Sequence, residues 1–90
     1  MKFGIRSDII CSQAGDRMVV ALVDGSESVI LNTTGSRLWE AMEGKGNFDS
    51  TALEGLLRQW YPSLSQETVE KDVEQFLGKL LTHQLVERLD

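Results

Sequence analysis

Ninety residues, 41% apolar and 26% charged, describe one globular domain with room for a modest core, and exclude a disordered chain. Fourteen acidic against nine basic side chains leave a formal net charge of −5, which opposes association with phosphates. The start, Met1-Lys2-Phe3-Gly4-Ile5-Arg6-Ser7-Asp8, lacks the continuous apolar segment of a signal peptide, and no apolar run approaches the ~20 residues that cross a bilayer. The single cysteine, Cys11, excludes an internal disulfide and reads as a small buried apolar residue in a reducing compartment, so a cytoplasmic protein is expected.

Taken in order, residues 9–13 form a weak strand candidate closed by the turn formers Ala14-Gly15-Asp16. Residues 18–23, Met-Val-Val-Ala-Leu-Val, form a stronger one whose unalternating apolar run fits a central strand covered on both faces. Asp24-Gly25-Ser26 reads as a tight hairpin, since Gly25 supplies a positive φ without steric cost. A third strand at 27–31 completes an antiparallel meander. One sheet face takes the helices, and the other is left to meet a second protein.

Val29-Ile30-Leu31 passes through Asn32-Thr33-Thr34, three side chains able to cap a helix, with almost no loop. A helix over 33–43 follows, with Leu38, Trp39 and Met42 on one face, and stops at Gly44-Lys45-Gly46-Asn47. Asp49 caps a second helix over 49–60, with Ala52, Leu53, Leu56, Leu57 and Trp60 at 3/4 spacing, and Tyr61-Pro62 ends it. Both tryptophans lie on apolar helix faces and read as core. Ser65 caps a third helix over 66–83, with Glu67 well placed in its first turn. Its apolar positions (Val69, Val73, Phe76, Leu77, Leu80, Leu81) span about 140° of the wheel, wider than the ~100° stripe that faces a core. Part of that face is spare. Val86-Glu87-Arg88-Leu89 is a short alternating tail with the look of an extended segment.

No catalytic residue can be named. The lone His83 sits near a helix C-terminus, where the dipole favours its protonated form, and there is no second histidine or cysteine pair to build a zinc site. No phosphate-binding glycine motif occurs, and no cofactor or metal is expected. Glu67, Glu70, Asp72 and Glu74 alternate with Lys71 and Lys79 in the manner of a solvated face. Asp72 borders the Phe76 side of the apolar arc and belongs either to that solvated face or to a contact with a bound chain.

Three strings, Val29-Ile30-Leu31-Asn32-x-Thr34-Gly35-x-x-Leu38-Trp39, Leu53-x-x-x-Leu57 before Tyr61-Pro62, and Asp72-Val73-x-x-Phe76-Leu77-x-x-Leu80, resemble a PqqD-type domain. Such domains are the precursor-peptide recognition elements of ribosomal natural-product pathways, and the resemblance covers about residues 15–89. It implies an α+β, winged-helix-like fold of a three-stranded antiparallel sheet followed by three helices. It also implies a non-catalytic adaptor that adds the leader segment of a precursor peptide to the third strand of the meander, in a groove walled by the third helix. The leader is then delivered to a separate leader peptidase or modifying enzyme. Freestanding members of this size resemble either the leader-binding subunit of lasso-peptide maturation or PqqD itself, in pyrroloquinoline quinone synthesis. On this reading the peptide meets Glu27, Ser28, Val29, Ile30 and Leu31 on one side and Val69, Asp72, Val73 and Phe76 on the other. The family often carries a glycine after the third helix, where this chain has His83-Gln84-Leu85.

The binding mode suits the residues. An open strand edge offers unpaired N–H and C=O groups largely independently of the ligand's sequence, and selectivity comes from pockets for alternate side chains. A winged-helix DNA-binding module would need lysines and arginines on its recognition helix, whereas residues 66–83 carry four acids against two lysines. No nucleic acid or membrane partner is expected. Self-association through the open edge stays open.

Overall fold

The computed structural model describes residues 2–43 and 47–89. The helix stop expected at Gly44-Lys45-Gly46 lies outside them. The class is α+β. In chain order the described residues form strands β1 (Lys2–Ile5), β2 (Ile9–Ala14), β3 (Arg17–Leu22) and β4 (Ser28–Leu31), then helix α1 (Thr33–Glu43) and strand β5 (Asn47–Asp49). Helices α2 (Ser50–Trp60) and α3 (Gln66–Thr82) follow, and strand β6 (Val86–Arg88) ends the order.

The strands make two antiparallel sheets rather than the one expected. The meander is ordered β2-β3-β4, and a second sheet is ordered β5-β1-β6. Residues 2–5 carried no strand assignment in the sequence, yet β1 is the centre of that second sheet, pairing Phe3 with Phe48 and Ile5 with Val86. The Phe3 and Phe48 rings stack at 5.9 Å between centroids. The tail at 86–89 is extended because β1 supplies its ladder.

In the meander the register pairs Val20 with both Cys11 and Val29. The central strand takes its helical cover on one face, as expected. Met18, Val20 and Leu22 are buried while Val19 and Ala21 stay half-exposed, so helices cover one face only. Val23 falls outside the strand and is exposed. Gly15 and Gly25 take the left-handed conformation at the two hairpin tips, with φ of 65° and 76°.

Capping explains the helix starts. Asn32 accepts the Gly35 N–H at 2.8 Å, Asp49 accepts from Thr51 at 2.9 Å, and Ser65 accepts from Thr68 at 3.2 Å. Tyr61 ends α2, its N–H bonding to Leu57 O. α3 stops one residue earlier than expected. His83 is its C-cap and Gln84 adopts φ of 60°, with the Leu85 N–H reaching Leu80 O at 2.9 Å and the Gln84 N–H reaching Leu81 O at 3.1 Å. These two bonds define a Schellman motif, completed by the apolar contact of Leu80 with Leu85, both fully buried. A glutamine occupies the position that glycine usually fills.

The core gathers Leu38, Trp39 and Met42 of α1, Leu53 and Leu57 of α2, and Val69, Val73, Leu77 and Leu80 of α3 against the inner faces of both sheets. Two residues assigned to the core depart from it. Trp60 is half-buried and stacks under Arg37, whose guanidinium carbon is 4.1 Å from the ring centroid. Cys11 is exposed rather than buried, because β2 extends past the helical cover and only the α1 rim reaches it. The Trp39 indole N–H donates to Cys11 Sγ at 3.2 Å, and the thiol points to Glu43 at 3.8 Å. Partial desolvation of the sulfur under the α1 rim raises the thiol pKa, the indole N–H lowers it in part, and the Glu43 carboxylate raises it again.

Candidate peptide groove

β4 is an edge strand: β3 pairs with one side, and no strand among the described residues pairs with the other. Its side chains alternate. Val29 and Leu31 point into the core, whereas Ser28 and Ile30 point away, Ile30 with 61% of its surface exposed. The backbone follows the same period. Leu22 donates to Glu27 O at 3.0 Å, so the 22/27 pair is a hydrogen-bonded one. Antiparallel pairs alternate between bonded and non-bonded, so the 20/29 and 18/31 pairs bond inward while 21/28 and 19/30 do not. The N–H and C=O groups of Ser28 and Ile30 therefore face the open edge.

Opposite this edge stands α3, and the start of α1 forms the floor between them. The resulting groove has a volume of about 300 Å³ and is lined by Ile30 and Leu31 of β4 and by Asp72, Gln75, Phe76 and Lys79 of α3. Thr34, Gly35 and Leu38 line it from below, and Leu57 closes its depth. Gly35 lets the walls approach. A Cβ there would lie 3.2 Å from Asn32 Oδ1, tighter than most real contacts, and would come into van der Waals contact with Phe76 Cε1 at 3.4 Å. The first turn of α1 is held firmly, since Ser36 donates both its N–H to Asn32 O at 2.8 Å and its hydroxyl to Leu31 O at 3.3 Å.

The groove ends are polar. At one, Thr34 Oγ1 lies 3.5 Å from the Tyr61 hydroxyl, to which Arg37 donates at 3.4 Å. These two neighbours, Thr34 first, hold the Tyr61 hydroxyl below the usual phenol range. At the other, His83 Nδ1, at the C-cap of α3, lies 3.4 Å from Oε1 of Glu27, the residue before β4. That nitrogen is buried and has no hydrogen-bond partner. α3 thus runs antiparallel to β4, with Lys79 toward the Ser28 end and Asp72 toward the Asn32 end.

Of the residues expected at the site, Ile30, Leu31, Asp72 and Phe76 come together in the groove, and Ser28 presents its backbone at the open edge. Val29 faces inward, and Glu27 is half-buried against His83. Val69 and Val73 do not reach the groove: they are 0% and 1% exposed and belong to the core. The helix is rotated so that the middle of its apolar arc meets the core, which leaves Phe76 at the edge. Gln75 and Lys79 were missed, although they share a face with Asp72 and Phe76 at 3/4/7 spacing. Gly35 stands in the sequence motif, and nothing in its spacing marks it as the floor.

Among the described residues no group of three His, Cys, Asp or Glu side chains could hold a metal ion, and no helix is long and apolar enough to cross a membrane.

No curated protein is significantly similar to the chain. Its fold is similar to that of TbiB1, solved in complex with the TbiA(beta) leader peptide, with a TM-score of 0.81 and 23% identity over 97% of this chain and 98% of that one. The family described as coenzyme PQQ synthesis protein D (PqqD) matches residues 17–86, a stretch that runs from the first residue of β3 to the first of β6 and contains the whole groove. The chain belongs to the PqqD family.

Proposed function

We propose that this protein is a non-catalytic adaptor that binds the leader segment of a ribosomally made precursor peptide as an added strand on β4. It presents that peptide to a separate leader peptidase or modifying enzyme, in lasso-peptide biosynthesis. The observation that carries the reading is the open edge at Ser28 and Ile30 facing a groove walled by Asp72, Phe76 and Lys79. Main-chain bonds to the edge supply affinity for an extended chain, and the groove takes alternate side chains of the added strand. The likeness to TbiB1, a protein solved with a leader peptide, supports this reading. Ordering a flexible leader consumes much of the gross gain, so a Kd between about micromolar and nanomolar is expected.

The family description favours a second reading, in which the bound chain is the precursor of a quinone cofactor. Titrating the ¹⁵N-labelled protein with each class of precursor peptide separates the two. The expected result is saturable binding of a lasso-type leader, with amide shifts at residues 28–32 and 72–79. Binding of the quinone-cofactor precursor alone would select the second reading. Shifts confined to other surfaces would defeat both.

A further inference from the structure

The apolar arc of α3 has two edges, and the peptide groove uses one. On the opposite flank, Leu77 and Leu81 border a second cavity of about 400 Å³, enclosed by β1, the first turns of α2, and β6. Phe3, Val73, Leu77 and Leu81 make an apolar floor. Gly78 leaves its rim open, since a Cβ there would meet nothing within 4 Å. Three carboxylates, Glu54, Glu70 and Glu74, surround the floor against one guanidinium, Arg88. Glu70 accepts from the Gln66 amide at 2.9 Å. Neither Glu54 nor Glu74 forms an ion pair among the described residues.

We infer that this second groove docks a segment of another protein that carries apolar side chains flanked by lysine or arginine. Resting on the adaptor reading above, that protein is the enzyme that acts on the peptide held at β4. Charge decides the occupant. A second copy of this chain, itself at −5, would bring two acidic rims face to face, and an anionic lipid surface would be repelled in the same way. A basic segment finds apolar floor and acidic rim together. Because the two grooves lie on opposite flanks of one helix, both are occupied at once, and the enzyme docks without displacing its substrate.

The test uses the full ¹⁵N-labelled chain and a synthetic amphipathic helix of about 16 residues, four to five turns, with leucines on one face and lysines on the other. An otherwise identical peptide with glutamates for lysines is the control, and the precursor peptide is titrated separately. The lysine peptide is expected to shift amides of Phe3, Glu54, Glu70, Leu81 and Arg88, and to bind at least about tenfold more tightly than its control. Glu70→Lys combined with Glu74→Lys, both at exposed positions, should weaken it at least about fivefold and leave precursor affinity within about twofold. Equal binding of the two peptides, shifts at residues 28–32 instead, or indifference to the double substitution would overturn the inference. So would sedimentation showing that this face pairs with its own copy. Loss of precursor binding by the parent protein would count against the adaptor reading and not against this groove.

Discussion

Replacing Ile30 with proline tests the open edge most directly. Ser28 and Ile30 each present one N–H and one C=O outward, so an added strand gains up to four main-chain bonds, and the Ile30 N–H is one of them. Its loss costs about 1 kcal/mol net, or about fivefold in Kd. The proline ring also occupies the space where the incoming carbonyl would sit, which disrupts the neighbouring bond. Together the two effects reach about 2 kcal/mol, near 30-fold. The free protein should scarcely notice, because the Ile30 N–H has no partner on the β3 side and proline is tolerated on an open edge. Val29→Pro is the contrasting variant. Its N–H bonds inward to Val20 and its side chain is buried, so it should lower the melting temperature outright. Fluorescence polarisation with a labelled precursor peptide reads affinity, and a thermal melt reads stability. If Ile30→Pro bound with the parent's Kd while folded, the edge would not be the site. If it unfolded as Val29→Pro does, the alternation of β4 would be wrong.

Gln84→Gly should relieve the left-handed backbone at the end of α3, stabilising the protein by about 1 kcal/mol and raising its Tm by about 4–8 °C; an unchanged or lower Tm would contradict the Schellman assignment. Glu43→Gln removes a negative charge beside the Cys11 thiol, so the thiol pKa should fall and alkylation at neutral pH should speed up; rates of iodoacetamide labelling against pH check this, and unchanged rates would sink it. The carboxyls of Asp16, Asp24 and Asp49 are held below the usual range chiefly by hydrogen bonds from the Thr33 hydroxyl, the Ser26 hydroxyl and the Thr51 N–H. With folded pKa values below the unfolded ones, their stabilisation is present above about pH 4 and lost as pH falls through the folded values. Melts should therefore weaken from about pH 4 downward, and a flat Tm across that range would show that these bonds do not contribute.

What the sequence showed of the site, and what it hid, follows from the range of each interaction. The meander and the three helices leave local periods, since Leu53 and Leu57, or Val69 and Val73, face one way whatever lies opposite. β1 leaves none. Phe3, Gly4 and Ile5 are a strand because Phe48 and Val86 pair with them across long stretches of chain, and so short a segment shows no period of its own. The groove shows the same division. Parity alone put Ile30 opposite Val29 and Leu31, but which backbone groups face outward depends on the bonded pair of Leu22 and Glu27, a matter of register. A helical wheel likewise gave the width of the α3 arc and not its rotation about the helix axis. The rotation decides which side chains line each groove. With Val69, Val73 and Leu80 turned to the core, the surplus arc divides into two margins: Phe76 faces the open edge of β4, and Leu81 faces the acidic groove. An arc only as wide as the core requires would have left neither margin, and α3 would have been a structural helix rather than a wall shared by two grooves.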